Sequence, residues 1–492
     1  MNKVRPTFMG LETTKRGIMV NQKGLDVTAH NMSNIKTRGY TRQRLDTSTI
    51  SSTGTSRYPT GSWAMAGQGV QAQGVAQIRN TFLDTRFREE YGDVGYYDQK
   101  ASILSEVEAA ISDPEVEGTG IQDALKTLFN ALTDFSANAD NATHANIVMT
   151  AFKGVAHTLN QYDQKLKSIA QQEKENLAIA VKDINAKIEQ ITQLNKNITE
   201  EVFVNPDYDG INYGPNELMD QRNVLLDDLS RYGNVKVQPR EDGGVQVTFN
   251  GKVIIDAVGG TYTSNGIRLG DDGISMSWIS DSSGIGLDTG ALRGFTEMLT
   301  GDNSLSKGIP YYQKKLDNLA NALAQAFNQV VPDDGAKEGD NQYKTLLEGE
   351  NGTVTAGNIT VSDAWAKDPS FILRPENPDG GTDNEFILAM KALLDQDIQV
   401  DDEFTGTFKE YVTFITTSLG SDITLNNGRL DSSLSVAQSV DDNRMSVSGV
   451  SLNEEGINMM TYDKAFKALS RLMTVMDEEL EMLINKTGIV GR

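Results

Sequence analysis

The last forty residues hold the sequence feature that most restricts the fold. Eight mainly apolar residues recur there at alternating steps of three and four, which is typical of a helix that buries one narrow stripe against other helices. They are Met459, Tyr462, Phe466, Leu469, Met473, Met476, Leu480 and Leu483. Ser451 and Glu454 have capping-box spacing at the start, and Gly488 is placed to end the helix. Because such a stripe cannot form a core alone, the pattern predicts a partner helix.

The beginning of the chain offers that partner between Pro6 and Ser33. Apolar residues recur there every seven positions, at Leu11, Ile18, Leu25 and Met32. The positions between them, Thr14, Asn21 and Thr28, are polar, so we expect this stripe to be the weaker one. The sequence therefore predicts that the terminal helices pair as a coiled coil. The alternative is an ordinary helical hairpin that closes a single domain.

Charge separates the N-terminal end from the rest of the chain. Residues 1–44 carry nine Lys and Arg against two acids, whereas the whole chain of 492 residues has a formal net charge of −23. A basic end on an acidic body favours contact between copies or with an acidic neighbour. The acidic balance argues against nonspecific nucleic-acid binding as the main task. No apolar run approaches the roughly 20 residues of a membrane span, and no secretory signal peptide is recognisable. Cysteine is absent, so packing must supply the stability.

Helical periodicity covers most of the middle of the chain. The longest stretch, 145–202, would span on the order of 85 Å as one helix. Further helices are predicted at 80–108, 118–137, 215–230, 290–331, 385–394, 407–419 and 426–447. Between 235 and 278 the period changes to two, and Asp242-Gly243-Gly244 and Asn250-Gly251 are hairpin signals. These residues predict a small antiparallel β domain.

The predicted fold class is therefore mainly α with an inserted β domain, in an elongated protein of several domains. We expect a terminal coiled-coil domain from 1–60 plus 448–492. A mainly helical body would comprise 61–205 plus 290–447, with a loop-rich segment at 332–383. The inserted β domain would be 206–289.

Residues for catalysis or metal binding are not evident. The histidines His30, His144 and His157 are scattered, and HExxH, CxxC and GxSxG motifs are absent. The glycines of 117–120 mark a helix start rather than a phosphate loop. The acidic segment 379–385 lacks EF-hand spacing, so a solvated turn is favoured over a Ca²⁺ site. We predict no catalytic residue, cofactor or metal.

Motifs at both ends resemble a known family, the flagellar rod, hook and hook-associated axial proteins. The N-terminal motif comprises Asn31, Asn34, Thr37, Gly39, Tyr40, Arg42 and Gln43, and its Arg-Gln ending is similar to the hook-associated branch. The C-terminal motif comprises Gly449, Val450, Glu454, Glu455, Tyr462 and Phe466. The segments 215–225 and 316–328 look like internal segments of the hook-associated branch. His30, Ser33 and Arg38 depart from the usual pattern.

The resemblance implies a non-enzymatic structural subunit of the bacterial flagellum at the junction between hook and filament, needed for filament assembly. It implies an extracellular protein, exported through the type III export apparatus with an export chaperone. Implied partners are further copies of itself in a ring, the hook protein, a second junction protein and the filament. The terminal helices would pair in the inner tube, and the motif residues would serve assembly.

Two alternatives remain at this stage. A hook or flagellin-type subunit belongs to the same class, but the two internal segments count against it. An extracellular hydrolase or adhesin on a helical stalk, with its site in the β domain, belongs to another class.

The segment Asn34–Tyr40 is predicted to be a joint between the terminal helices and the body. Gly39 permits backbone angles that residues with a Cβ atom resist. Asn34 has donor and acceptor groups for the open end of the first helix.

Overall fold

The computed structural model describes residues 7–50, 69–111, 120–204, 214–333, 342–373 and 384–485. The features predicted at Pro6, 117–119, 379–383 and Gly488 lie outside these residues. The helices are α1 (Thr7–Ser33), α2 (Thr81–Ile111), α3 (Ile121–Ala137), α4 (Ala142–Val204), α5 (Asn216–Ser230), α6 (Ala291–Thr300), α7 (Ile309–Phe327), α8 (Asp363–Lys367), α9 (Glu385–Asp395), α10 (Phe408–Ser448) and α11 (Leu452–Asn485).

The strands pair in small antiparallel sheets. They are β1 (Gln43–Thr49), β2 (Val70–Gln77), β3 (Val235–Pro239), β4 (Val245–Phe249), β5 (Lys252–Val258), β6 (Thr261–Ser264), β7 (Ile267–Leu269), β8 (Met276–Trp278), β9 (Asp302–Asn303), β10 (Ser306–Lys307), β11 (Leu347–Glu348), β12 (Thr360–Val361), β13 (Ile398–Asp401) and β14 (Phe404–Gly406). The largest sheet has the order β3-β4-β5-β6, and the other strands form two-stranded pairs. The mainly helical fold class is confirmed.

Helix α4 is the longest element of the body. It runs for 63 residues without a break, which corresponds to roughly 95 Å at 1.5 Å per residue. Most apolar positions along one side of it are buried between Val148 and Ile198, because other helices and strands pack along its length. The predicted long helix is confirmed.

One continuous apolar core joins the helices that precede and follow the strands. It includes Leu159 of α4, Leu319 of α7 and Ile415 of α10, because each of these helices is apolar along one side. The strands share this core, since Val247 and Trp278 belong to the same cluster. The segment 206–289 thus has no separate core in its described part. A sheet this small needs an apolar partner, and α4 supplies it.

Two helix predictions were wrong in detail. The helix predicted over 290–331 is divided by the β9–β10 hairpin. Gly308 is required there, because a Cβ atom would lie 2.5 Å from the Met298 carbonyl oxygen. The helices predicted at 407–419 and 426–447 are one helix, α10, which passes through Gly420. It begins at a capping box between Thr407 and Glu410.

A second, smaller core fixes the N-terminal helix. Val20 and Val27 of α1 pack against Leu45, Ala72 and Val75 of the β1–β2 hairpin. Helix α11 packs along α1 as well. The predicted pairing of the terminal helices is confirmed, and α1 contacts both α11 and the hairpin.

Candidate assembly joint

Three glycines of α1 each face one large side chain of α11. The pairs are Gly10 with Met476, Gly17 with Leu469, and Gly24 with Tyr462. A Cβ atom on these glycines would lie 2.9, 2.8 and 2.7 Å from the facing side chains, respectively. Both rows advance by seven residues in opposite directions, so the helices are antiparallel in a constant register. The missing side chains allow this close approach.

The predicted apolar stripe of α1 lies beside this contact. Leu11, Ile18, Leu25 and Met32 each follow a facing residue by one position and are half-buried. On α11 most of the predicted stripe is half-buried, namely Tyr462, Phe466, Leu469, Met473, Met476 and Leu480. Met459 and Leu483 are exposed. The prediction for α1 was displaced by one position, because glycine adds nothing to an apolar periodicity even where it marks a contact.

The polar residues of the α1 stripe bond to those glycines. The Thr14 hydroxyl donates to the Gly10 carbonyl (2.9 Å), the Asn21 amide to Gly17 (2.6 Å) and the Thr28 hydroxyl to Gly24 (2.8 Å). Thr14 and Thr28 are buried with these bonds made. Their polarity therefore leaves no unsatisfied hydroxyl in the contact between the helices.

A cluster of motif residues from both ends of the chain follows the glycine contact. Asn31 Nδ2 donates to Glu455 Oε2 at 3.3 Å, and Arg42 Nε donates to Glu455 Oε1 at 2.7 Å. Arg42 Nη1 also donates to Glu454 Oε2 at 2.6 Å. The Glu455 side chain is 2% exposed and is the buried residue along the described length of α11. The Glu455 carboxylate is thus held away from water with its hydrogen bonds made, whereas Arg42 stays partly exposed.

The predicted capping box is half formed. The backbone N–H of Glu454 donates to Ser451 Oγ at 3.5 Å. The Glu454 carboxylate accepts from Arg42, which joins the start of α11 to the N-terminal motif.

Asn31 also fixes the turn that follows α1. Its Oδ1 accepts from the Tyr40 hydroxyl at 2.7 Å and from the Gln43 N–H at 3.0 Å. Its Nδ2 donates to the Gln43 carbonyl at 2.9 Å. Burial raises the pKa of Tyr40, and the charges of Asp220 and Glu217 add to this. The tyrosine therefore keeps its proton and donates it to Asn31.

The loop from Asn34 to Tyr40 has the geometry predicted for Gly39. This glycine has φ of 79°, and a Cβ atom there would lie 2.1 Å from Val224 Cγ2. The Asn34 amide donates to the His30 carbonyl at 3.1 Å, and Thr37 Oγ1 donates to Asn34 Oδ1 at 3.1 Å. Asn34 thus occupies the open end of α1, as predicted.

Helix α5 holds the loop to the body. Arg38 forms an ion pair with Asp228. Asp220 accepts from the Thr41 N–H at 3.1 Å and from Gln77 Nε2 at 2.9 Å. Gln43 Nε2 donates to Glu217 at 3.3 Å. Burial raises the pKa of Asp220, although the bond from Thr41 acts in the opposite direction.

Charged residues continue this attachment into the body. Arg88 of α2 and Arg444 of α10 both bind Asp227 of α5, at 2.7 and 2.6 Å. Burial acts to lower the pKa of Arg444, but the charges and hydrogen bonds of Asp227 and Asp441 together outweigh it and leave that pKa raised. Arg79 binds Asp84 at 2.6 Å. These pairs fix α2, α5 and α10 at the base of the terminal helices.

The C-terminal motif crosses the joint beside the N-terminal one. The Arg42 N–H donates to the Ser448 carbonyl at 2.8 Å. At Gly449 a Cβ atom would lie 2.5 Å from the Met445 carbonyl oxygen, so the turn between α10 and α11 needs glycine there. Val450 is half-buried in the same turn.

The structure adds residues that sequence reasoning missed. The three glycines could have been found from their seven-residue spacing. Asp220, Asp227 and Arg444 carry no local signal, because their partners are distant in the sequence. In the described part of the chain no three His, Asp or Glu side chains come together as metal ligands. No described helix has the length and apolarity to cross a membrane.

Comparison with known proteins identifies a match over the helical body. Residues 104–341 match the family model of the flagellar hook-associated protein FlgK helical domain. The chain is 30% identical to flagellar hook-associated protein 1 of Bacillus subtilis, with 99% of both chains covered. It is 21% identical to flagellar hook-associated protein 1 of Salmonella typhimurium, covering 95% of this chain and 98% of the relative.

A solved structure shows the same fold. It is that of the flagellar hook junction protein FlgK from Burkholderia pseudomallei, with a TM-score of 0.56 and 13% identity. The match covers 74% of this chain and 100% of the other. The two relatives carry the name of a hook-associated protein, rather than that of a hook subunit, a flagellin or a hydrolase, which favours the predicted family over those alternatives.

Proposed function

The chain belongs to the flagellar hook-associated protein 1 family, and on that basis we propose that it is a structural subunit of the bacterial flagellum that forms the junction between hook and filament. In this role it is needed for filament assembly. Its partners are further copies of itself, the hook protein, the second junction protein and the filament.

The observation that carries this proposal is that apolar side chains are exposed on the outer face of α11, away from the glycines of α1. Ile457 and Met460 lie opposite the glycine contact, Val475 and Met482 lie beside it, and each is half exposed or more. Apolar side chains left exposed on a helix that already has one partner are typical of a surface that binds another protein. In the proposed tube, the terminal helices of neighbouring copies cover it.

The finer parts of the proposal follow from the family. The subunit works outside the cell, reaches its position through the type III export apparatus with an export chaperone, and has no catalytic activity. The motif residues of the joint, from Asn31 to Gln43 and from Gly449 to Glu455, keep the terminal pair at a defined angle to the body.

A substitution on the outer face of α11 tests the proposal. In cells whose only copy carries Val475→Asp, we expect normal export but hooks without filaments, because a charge on this face opposes burial by a neighbour. Ile179→Asp, on the exposed side of α4, is the matched control and should leave filaments intact. Export is measured in the medium by immunoblotting and filaments by electron microscopy. Normal filaments with Val475→Asp would refute the proposed packing.

A further inference from the structure

A cleft opens between the joint loop and the body. It has a volume of about 670 Å³ and lies between residues 30–40 and helices α4 and α5. Leu194, Val224, Leu225 and the ring of Tyr40 line it. Glu217 also borders it, with 60% of its side chain exposed. Clefts of this size with an apolar wall and a few polar groups are typical of binding sites.

One exposed aromatic residue of the chain matches this cleft. Phe82, in the first turn of α2, is 68% exposed, more than any other phenylalanine whose side chain the structure describes. Arg86 lies one turn later, is exposed, and makes no ion pair with any described residue. Arg79 binds Asp84 at the start of α2 and donates to Thr41 Oγ1 at 3.1 Å, which holds the start of α2 to the joint. Phe82 and Arg86 thus form an aromatic and basic projection at a fixed position.

Phe82 does not border the cleft of its own chain. A second cavity of about 440 Å³ borders the loop, and Phe87 and Tyr91 of α2 line it together with Arg444 of α10. No residue of α2 lines the larger cleft between α4 and α5, and Phe82 lines neither cavity. A projection and a pocket that do not meet within one molecule fit a head-to-tail contact between identical copies, which closes a ring or continues as a helix.

We propose that this cleft receives Phe82 of a second copy of this chain, with Arg86 of that copy beside Glu217. The inference rests on the proposed function, since it requires neighbouring copies in the junction. Buried aromatic side chains with an adjoining arginine are the residue types that dominate the stability of protein interfaces. The opposite charges of Arg86 and Glu217 fix the orientation of the contact. The contact lies at the base of the terminal helices, so it links the bodies of neighbouring copies in addition to the contacts between their terminal helices.

The absence of cysteine from the chain allows a direct test. The double variant Phe82→Cys with Gln193→Cys places one thiol on α2 and one in the cleft. After mild oxidation of purified hook–filament complexes, we expect a ladder of cross-linked dimers and larger species. The control, Ile179→Cys with Gln193→Cys, uses an equally exposed position on α4 (67%) and should give at least tenfold less cross-linked product. Equal yields from the two pairs, or no ladder from the first, would overturn the inference.

A second probe keeps an aromatic ring at the contact. A benzophenone amino acid at position 82 is activated by light in assembled junctions, and its attachment sites are mapped by mass spectrometry. Attachment within 190–194 or 217–225 of another copy supports the contact, and attachment confined to other segments overturns it. If filaments assemble but these links are absent, the contact is refuted and the proposed function is not. Absence of the wild-type chain from the hook–filament junction would refute the proposed function instead.

Discussion

Replacement of Asn31 by alanine should open the terminal helix pair while leaving the body folded. Asn31 is 1% exposed and makes four hydrogen bonds, two with the backbone of Gln43 and one each with Tyr40 and Glu455. Gln43 is itself buried, so its N–H and C=O would lose their partner without gaining water. Each orphaned buried group costs about 1–3 kcal/mol. We therefore expect the free energy of local opening to fall by about 3 kcal/mol.

Amide hydrogen exchange measures this opening directly. A loss of about 3 kcal/mol corresponds to roughly a hundredfold faster exchange, up to the rate of an unprotected chain. The acceleration should be confined to amides of α1 and α11, whereas those of α4 keep their wild-type rates. The matched control is Asn21→Ala on the same helix, because Asn21 donates within α1 to Gly17. Equal acceleration by the two variants would refute the reasoning that Asn31 holds the two ends together.

Two further predictions concern the joint loop and the body. Gly39→Val should prevent junction assembly but not export, since φ of 79° and Val224 both exclude the valine side chain. Gly420→Val, at a helical position with open space, is the control and should assemble. Filaments from the Gly39 variant would contradict the prediction. Glu173→Gln should raise the free energy of unfolding at neutral pH, because burial and then the charge of Glu106 raise the pKa of Glu173. A carboxyl pKa that folding raises makes the protein less stable as pH rises through that pKa, so the free energy of unfolding of the wild type should approach that of the variant as pH falls. Glu175→Gln, at an exposed site, is the control and should show the pH dependence of the wild type. Denaturant unfolding at several pH values measures this, and parallel curves for the wild type and the Glu173 variant would count against it.

The sequence predicted those parts of the fold that rest on local periodicity. The stripe around Leu469 predicted both a helix and its need for a partner, and Gly39 was recognised because positive φ favours glycine. Gly17 was missed for the opposite reason, since a contact made by an absent side chain leaves no apolar signal. The ion pair of Asp227 with Arg444 joins residues on separate helices. No periodic pattern in the sequence specifies such a pair, so it can be recognised only once the fold is known.

The spacing of the glycines also limits how the terminal helices can slide past each other. A repeat of seven residues would allow other registers, displaced by about 10 Å along the axis, in which each glycine again faces a large side chain. In such a register Glu455 would face Gly24, and its carboxylate would lose Asn31. The repeat thus permits several positions of the pair, and the buried Glu455 carboxylate selects one of them. The register of the terminal helices is therefore set by contacts within one chain.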